Sequence, residues 1–152
     1  MLKDIVCRTR SYRRFDQSVA VDIETLRSLV DLARHCASGA NQQPLKYVLC
    51  CDPETNARIF PCTSWAGGLK DWDGPAEGER PTAYILILGD TAIAKSFGCD
   101  HGIAAQTMML GATEKGLGGC MIGSLDRGRL KERLDIPEGQ DILLALALGK
   151  PK

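Results

Sequence analysis

The chain has 152 residues, 44% of them hydrophobic and 25% charged, with 19 Lys and Arg matched by 19 Asp and Glu. That length builds one core and predicts one domain over residues 1–152. A net charge of zero lacks the overall basic field that nucleic-acid binding needs, so no nucleic-acid partner is expected.

The longest apolar runs, Ala83–Leu88 and Ile142–Leu148, are strand-sized and far short of a membrane span. Met1–Val6 lacks the apolar stretch of a signal peptide, which predicts a cytoplasmic protein. Seven cysteines form no CxxC pair, and His35 and His101 are not spaced as zinc ligands, so no metal is expected. Free thiols in a reducing compartment fit this pattern. Cys50, Cys51 and Cys120 sit in apolar segments and read as small core hydrophobes.

The chain opens on a basic run, Arg8-Thr9-Arg10-Ser11-Tyr12-Arg13-Arg14-Phe15-Asp16, with four arginines in seven residues. The guanidinium fork matches phosphate or carboxylate, and the serine hydroxyl can complete such a cradle. Taken alone, the same run also reads as a solvated basic turn.

Ile23–Cys36 has helical spacing with Asp22 as its cap. Residues 38–44 form a polar loop that Pro44 closes. Lys46–Cys51 reads as a strand and Pro53–Phe60 as a short helix. Residues 61–81 are irregular and hold both tryptophans, Trp65 and Trp72. Such a loop suits a lid or partner contact, and equally a surface loop tucked down by its own rings. Tyr84–Leu88 reads as a buried strand and Asp100–Lys115 as a central helix. Small residues along that helix (Gly102, Ala104, Ala105, Gly111, Ala112) would let another helix approach closely, from a second subunit among the options. Gly116 ends it. Cys120–Gly123 is a short strand, Asp126–Leu134 a helix and Ile142–Leu148 the last strand. The sum is an α/β or α+β domain with about four strands.

Five boxes then fall in a familiar order. They are Arg10-Ser11-x-Arg13-x-Phe15, Ser38-Gly39-Ala40-Asn41-x-Gln43-Pro44, Asp100-x-Gly102-x-Ala104-x-Gln106, Lys115-Gly116-Leu117-Gly118-x-Cys120-x-Ile122-Gly123 and Leu148-Gly149-Lys150-Pro151. Together they resemble the nitroreductase family of FMN-dependent oxidoreductases, over almost the whole chain. The resemblance implies a central mixed, mainly antiparallel sheet flanked by helices, in an intertwined homodimer with FMN at the subunit interface.

It also implies site residues. Arg10, Ser11 and Arg13, with Arg14 as a weaker candidate, would hold the FMN phosphate, and Lys150 or Lys152 could reach it. Ser38 and Asn41 would lie against the isoalloxazine ring, with Gln43 shaping the pocket. Ile122 and Gly123 would approach the ring from the partner subunit. Thr9 stands where the family often has a basic residue, and Leu45 where an aromatic often follows Gln-Pro. Family members usually continue into a C-terminal segment, so the end at Lys152 implies a compact branch or a segment outside this sequence.

No Ser/His/Asp set, P-loop or dinucleotide fingerprint is present. That fits an enzyme whose cofactor carries the chemistry. The resemblance implies a ping-pong oxidoreductase, with NAD(P)H as hydride donor and a nitroaromatic, quinone or similar small molecule as acceptor. The alternatives are an FMN storage or sensor protein, or a specialised member such as a reductive dehalogenase or flavin-cleaving enzyme.

Overall fold

A computed structural model describes residues 1–152. In chain order its elements are α1 (Leu2–Arg8), β1 (Phe15–Asp16), α2 (Ile23–Ala33), β2 (Leu45–Cys50), α3 (Pro53–Ile59), β3 (Ala83–Asp90), α4 (Asp100–Glu114), β4 (Gly118–Ile122), α5 (Arg127–Arg133) and β5 (Gln140–Pro151). Three helices start where an aspartate caps them. Asp22 accepts from Thr25 N at 2.6 Å, Asp52 from Thr55 N at 2.7 Å and Asp126 from Arg129 N at 3.1 Å. Pro53 adds a preset φ at the start of α3.

The five strands form one sheet in the order β1-β5-β3-β2, with β4 also paired to β5 and every strand pair antiparallel. β3 reads as a continuous apolar run because both of its faces are covered. Ala83, Ile85 and Ile87 join Leu146 and Leu148 of β5 beneath α2 and α4. Tyr84, Leu86 and Leu88 point the other way, into a second cluster with Ile59, Trp65 and Leu130. Burying each large apolar side chain in these clusters contributes about 1.5–3 kcal/mol.

α4 is the central helix, as its composition predicts. A side chain at its Gly111 would come within 3.0 Å of Leu29 and Leu32 of α2, so that small residue serves a contact inside this chain. Gly102 faces open space and its neighbour Ile103 is exposed.

The structure adds two elements that the sequence pattern leaves out. α1 buries none of its residues, so it has no apolar stripe to read. β1 is two residues long. Five strands therefore replace the expected four. β4 starts at Gly118 rather than Cys120, because Gly118 and Gly119 pair with Gly149 and Leu148. β5 extends from Gln140 to Pro151, beyond the apolar run, because β3, β4 and β1 all pair with it. α2 stops at Ala33, three residues earlier than its pattern, and β2 runs one residue earlier at each end.

In the irregular segment Trp65 is buried, its indole N–H donating to Thr63 Oγ1 at 3.0 Å. Trp72 packs half-buried against the same core. The segment is thus tucked down by its own rings.

All seven cysteines are free, and Cys50, Cys62 and Cys120 are buried. Burial pushes the Cys50 thiol up to about 12 and that of Cys120 to about 11. Both stay protonated at neutral pH and act as core atoms, not nucleophiles. No helix is long and apolar enough to cross a membrane.

Candidate functional site

The basic run is held at the point where β4 begins and β5 ends. Tyr12 N donates to Gly119 O at 2.9 Å, and Ser11 bridges Gly119. Thr9, which replaces a basic residue of the pattern, is fixed from both sides: its hydroxyl reaches Ile5 O and Thr113 Oγ1, each at 2.8 Å. Phe15 is fully buried and packs on Gly149. The backbone of the run is therefore pinned while its long side chains remain at the surface.

The cations of this region differ in what they hold. Arg14 makes a two-pronged pair with Glu79, Nε to Oε2 at 2.6 Å and Nη2 to Oε1 at 2.8 Å. Its hydrogen bond to Glu79 raises the guanidinium further and, with that from Lys152, pushes the Glu79 carboxyl down to about 2. Arg10 makes no ion pair, and Arg13 donates only to Ser11 O, at 3.3 Å. Lys150 donates to Gly116 O at 3.1 Å. Ser11, Arg13, Arg14, Leu69, Trp72 and Lys152 line one open cleft here. Ser11 and Arg13 line that cleft, Arg10 and Lys150 lie outside its lining, and none of the four bonds a carboxylate. A phosphate dianion suits such a set.

The second set lies on the loop before β2. Three non-glycine residues there take left-handed backbone conformations: Ala40 at φ 49°, Asn41 at φ 54° and Gln43 at φ 52°. Such strain needs surrounding support and clusters at functional sites. Asp100, at the start of α4, supplies the support. It accepts from Ser38 Oγ at 2.5 Å and from Gly39 N at 2.9 Å. Ser38 Oγ in turn accepts from Gln43 N at 2.9 Å. Gln43 Nε2 donates to Asn41 Oδ1 at 3.0 Å, which leaves the exposed Asn41 amide N–H groups free to donate. Ser38, Asp100, Phe97 and Ile103 line a cleft of about 460 Å³ beside this loop.

The expected site residues therefore form two groups rather than one pocket. The clefts lined by the arginine set contain no residue of the loop set, and the reverse holds. Ile122 is buried in the core on the α3 side of the sheet. Gly123 is exposed, its carbonyl accepting from Arg127 Nη2 at 3.1 Å. Two residues of the site escape a reading of the sequence. Asp100 appears there only as the first member of a box, and Glu79 is hidden in the irregular segment.

The model of the Nitroreductase family matches residues 6–71 and 79–150. The chain belongs to the Nitroreductase family. Solved structures agree on the fold. A nitroreductase family protein from Clostridium novyi NT superposes with a TM-score of 0.82 at 22% identity, over 100% of this chain and 86% of that one. One from Streptococcus pneumoniae TIGR4 gives 0.83 at 17%, over 100% and 91%. A protein from Clostridium difficile R20291 described as an FMN-dependent nitroreductase gives 0.79 at 21%, over 97% and 86%. No curated protein matches the chain. The gap in the family match, residues 72–78, falls in the irregular segment just before Glu79.

Proposed function

We propose that residues 1–152 form one FMN-binding oxidoreductase domain, which passes a hydride from NAD(P)H to a small acceptor such as a nitroaromatic or quinone. The observation that carries this reading is the set of Arg10, Arg13, Ser11 and Lys150, free of carboxylates and held at one end of the sheet. Bound FMN supplies the hydride chemistry. Arg10 and Arg13 would grip its phosphate with charge-assisted bonds, and Ser11 and Lys150 would complete the ring of donors. Arg14, occupied by Glu79, contributes less. Asn41 would donate to the polar edge of the isoalloxazine from a loop that Asp100 holds in place.

The separation of the two sets supports a homodimer as the working unit. Each set is half of a site, and a second copy would supply the other half. Ile103 and Met121, 40% and 38% exposed, give apolar surface near the ring-side residues for that copy to cover. Gly123 would lie against the ring from the partner copy.

The test is a visible spectrum of the protein after FMN addition and desalting, followed by anaerobic NADH and NADPH. Retained flavin bands that bleach are expected. Arg10→Ala should lose at least about tenfold in FMN affinity, and Arg14→Ala much less. Bands that persist under reductant would point to FMN storage or sensing. Full retention by Arg10→Ala would remove the phosphate assignment.

A further inference from the structure

The sheet loses its own hydrogen bonding where β4 ends, and one side chain takes over. The last rung between β4 and β5 joins Ile122 to Ala145. Gly123 is the first residue beyond it. It is exposed, and its N–H donates to no group of this chain. Close by, β5 carries an extra residue. Ile87 pairs with Leu144 and Leu88 with Ile142, which leaves Leu143 bulged out of the ladder. Bulges of this kind bend a strand and interrupt its pairing.

Arg127, the first residue of α5, spans both places. Its Nε donates to Ile142 O at 2.8 Å and its Nη2 to Gly123 O at 3.1 Å. Longer contacts reach Leu143 O at 3.4 Å and Leu125 O at 3.5 Å. Every bond it makes goes to a main-chain carbonyl. A planar fork with fixed donor directions can set two such carbonyls relative to each other, which a lysine ammonium cannot.

The rest of the turn has other ties. Ser64 N donates to Ser124 O at 3.0 Å, and Asp126 N to Cys62 O at 2.9 Å. Neither reaches Gly123, whose carbonyl has Arg127 as its one donor. Packing does not demand a glycine there either. A Cβ would meet only Leu144 Cδ1, at an ordinary 4.0 Å. The space before Gly123 is open to another molecule, and the peptide that faces it is held by a side chain.

We propose that Arg127 is a positioning residue of the flavin site. It fixes the Gly123 peptide, with its free N–H, in the place from which it meets an isoalloxazine bound with the partner copy. Arg127 acts through Gly123. The proposal rests on the flavin reading above and adds to it the residue that sets the ring-side backbone.

Flavin affinities, bound-flavin spectra and thermal unfolding of the full chain test it. Arg127→Ala should weaken FMN and riboflavin alike, each about fivefold, because the ring end is disturbed. It should also shift the visible bands of bound FMN. Arg13→Ala should weaken FMN and leave riboflavin nearly unchanged. Arg127→Lys keeps the charge and loses the fork, so it should behave as Arg127→Ala does, and it carries the comparison if the alanine variant fails to fold. Arg133→Ala removes a similar bond, Nη1 to Arg58 O at 2.7 Å, near the other end of α5. It should lower the melting temperature without moving the bands. In the flavin-free chain, the backbone order parameter of Gly123 should fall from the rigid range near about 0.85 to below about 0.6 in Arg127→Ala. Unmoved bands, full recovery by Arg127→Lys, or an unchanged order parameter would each overturn the proposal while the flavin reading stands. A parent chain that retains no FMN would instead sink the flavin reading, and this proposal with it.

Discussion

Asp100 receives two hydrogen bonds, from Ser38 Oγ and Gly39 N, and both donors belong to the loop that carries Asn41 and Gln43. The residue is 8% exposed. Bonds to a charged acceptor at such a site contribute about 1.5–3 kcal/mol each. Asp100→Ala should therefore cost at least about 2 kcal/mol in denaturant unfolding. It should also weaken FMN retention, because three left-handed residues lose their anchor. Asp100→Asn should fall between: its oxygen can still accept from Gly39, and its amide can donate to Ser38 Oγ, which then turns its own hydrogen to solvent. An Asp100→Ala protein as stable as the parent would show that the loop holds itself. This contact joins residues 62 positions apart, so no local pattern reveals it. The serine and asparagine were legible as types suited to a ring edge, but what fixes them was not.

At the scale of elements, long periodic segments were legible and short or glycine-rich ones were not. α2, α4 and β3 carry apolar patterns that their packing then explains. α1 has no buried face, and β4 begins on a glycine pair that also reads as a helix stop. The structure gives that pair a second reason. A Cβ on Gly119 would overlap the Ala147 carbonyl oxygen and come within 2.8 Å of Leu148 Cδ2. The backbone of β5 cannot yield without breaking its pairing with β3. Gly119→Ala should cost about 3 kcal/mol or more, at the upper end of overpacking. The effect should extend to the arginine run, because Tyr12 N bonds Gly119 O and Ser11 bridges the same residue. Amide hydrogen exchange should show faster exchange in β4 and at Tyr12 together. If Gly119→Ala changes β4 alone, the run is held by other contacts.

For the whole molecule, Glu79 is the residue that ties distant parts of the chain together. Its carboxylate holds Arg14 at 2.6 Å and Lys152 at 3.0 Å, and its backbone carbonyl accepts from Phe15 N at 2.9 Å. The irregular segment, the first strand and the end of the last strand meet there. The Arg14 hydrogen bond, then that of Lys152, brings the carboxyl from its ordinary 4.5 down to about 2. The folded state thus binds the proton less readily than the unfolded chain. Between about pH 4.5 and 2 the unfolded chain takes up more protons, so this contribution is complete above that window and is lost as pH falls through it. Added salt should shrink it, because Arg14 and Lys152 lie at the surface. Glu79→Gln should accordingly flatten the acid limb. Its denaturation midpoint should lie below that of the parent at pH 6 and converge with it near pH 2. Parallel midpoints across that range would mean that other carboxylates govern acid unfolding, and that the join at Glu79 carries no stability of its own.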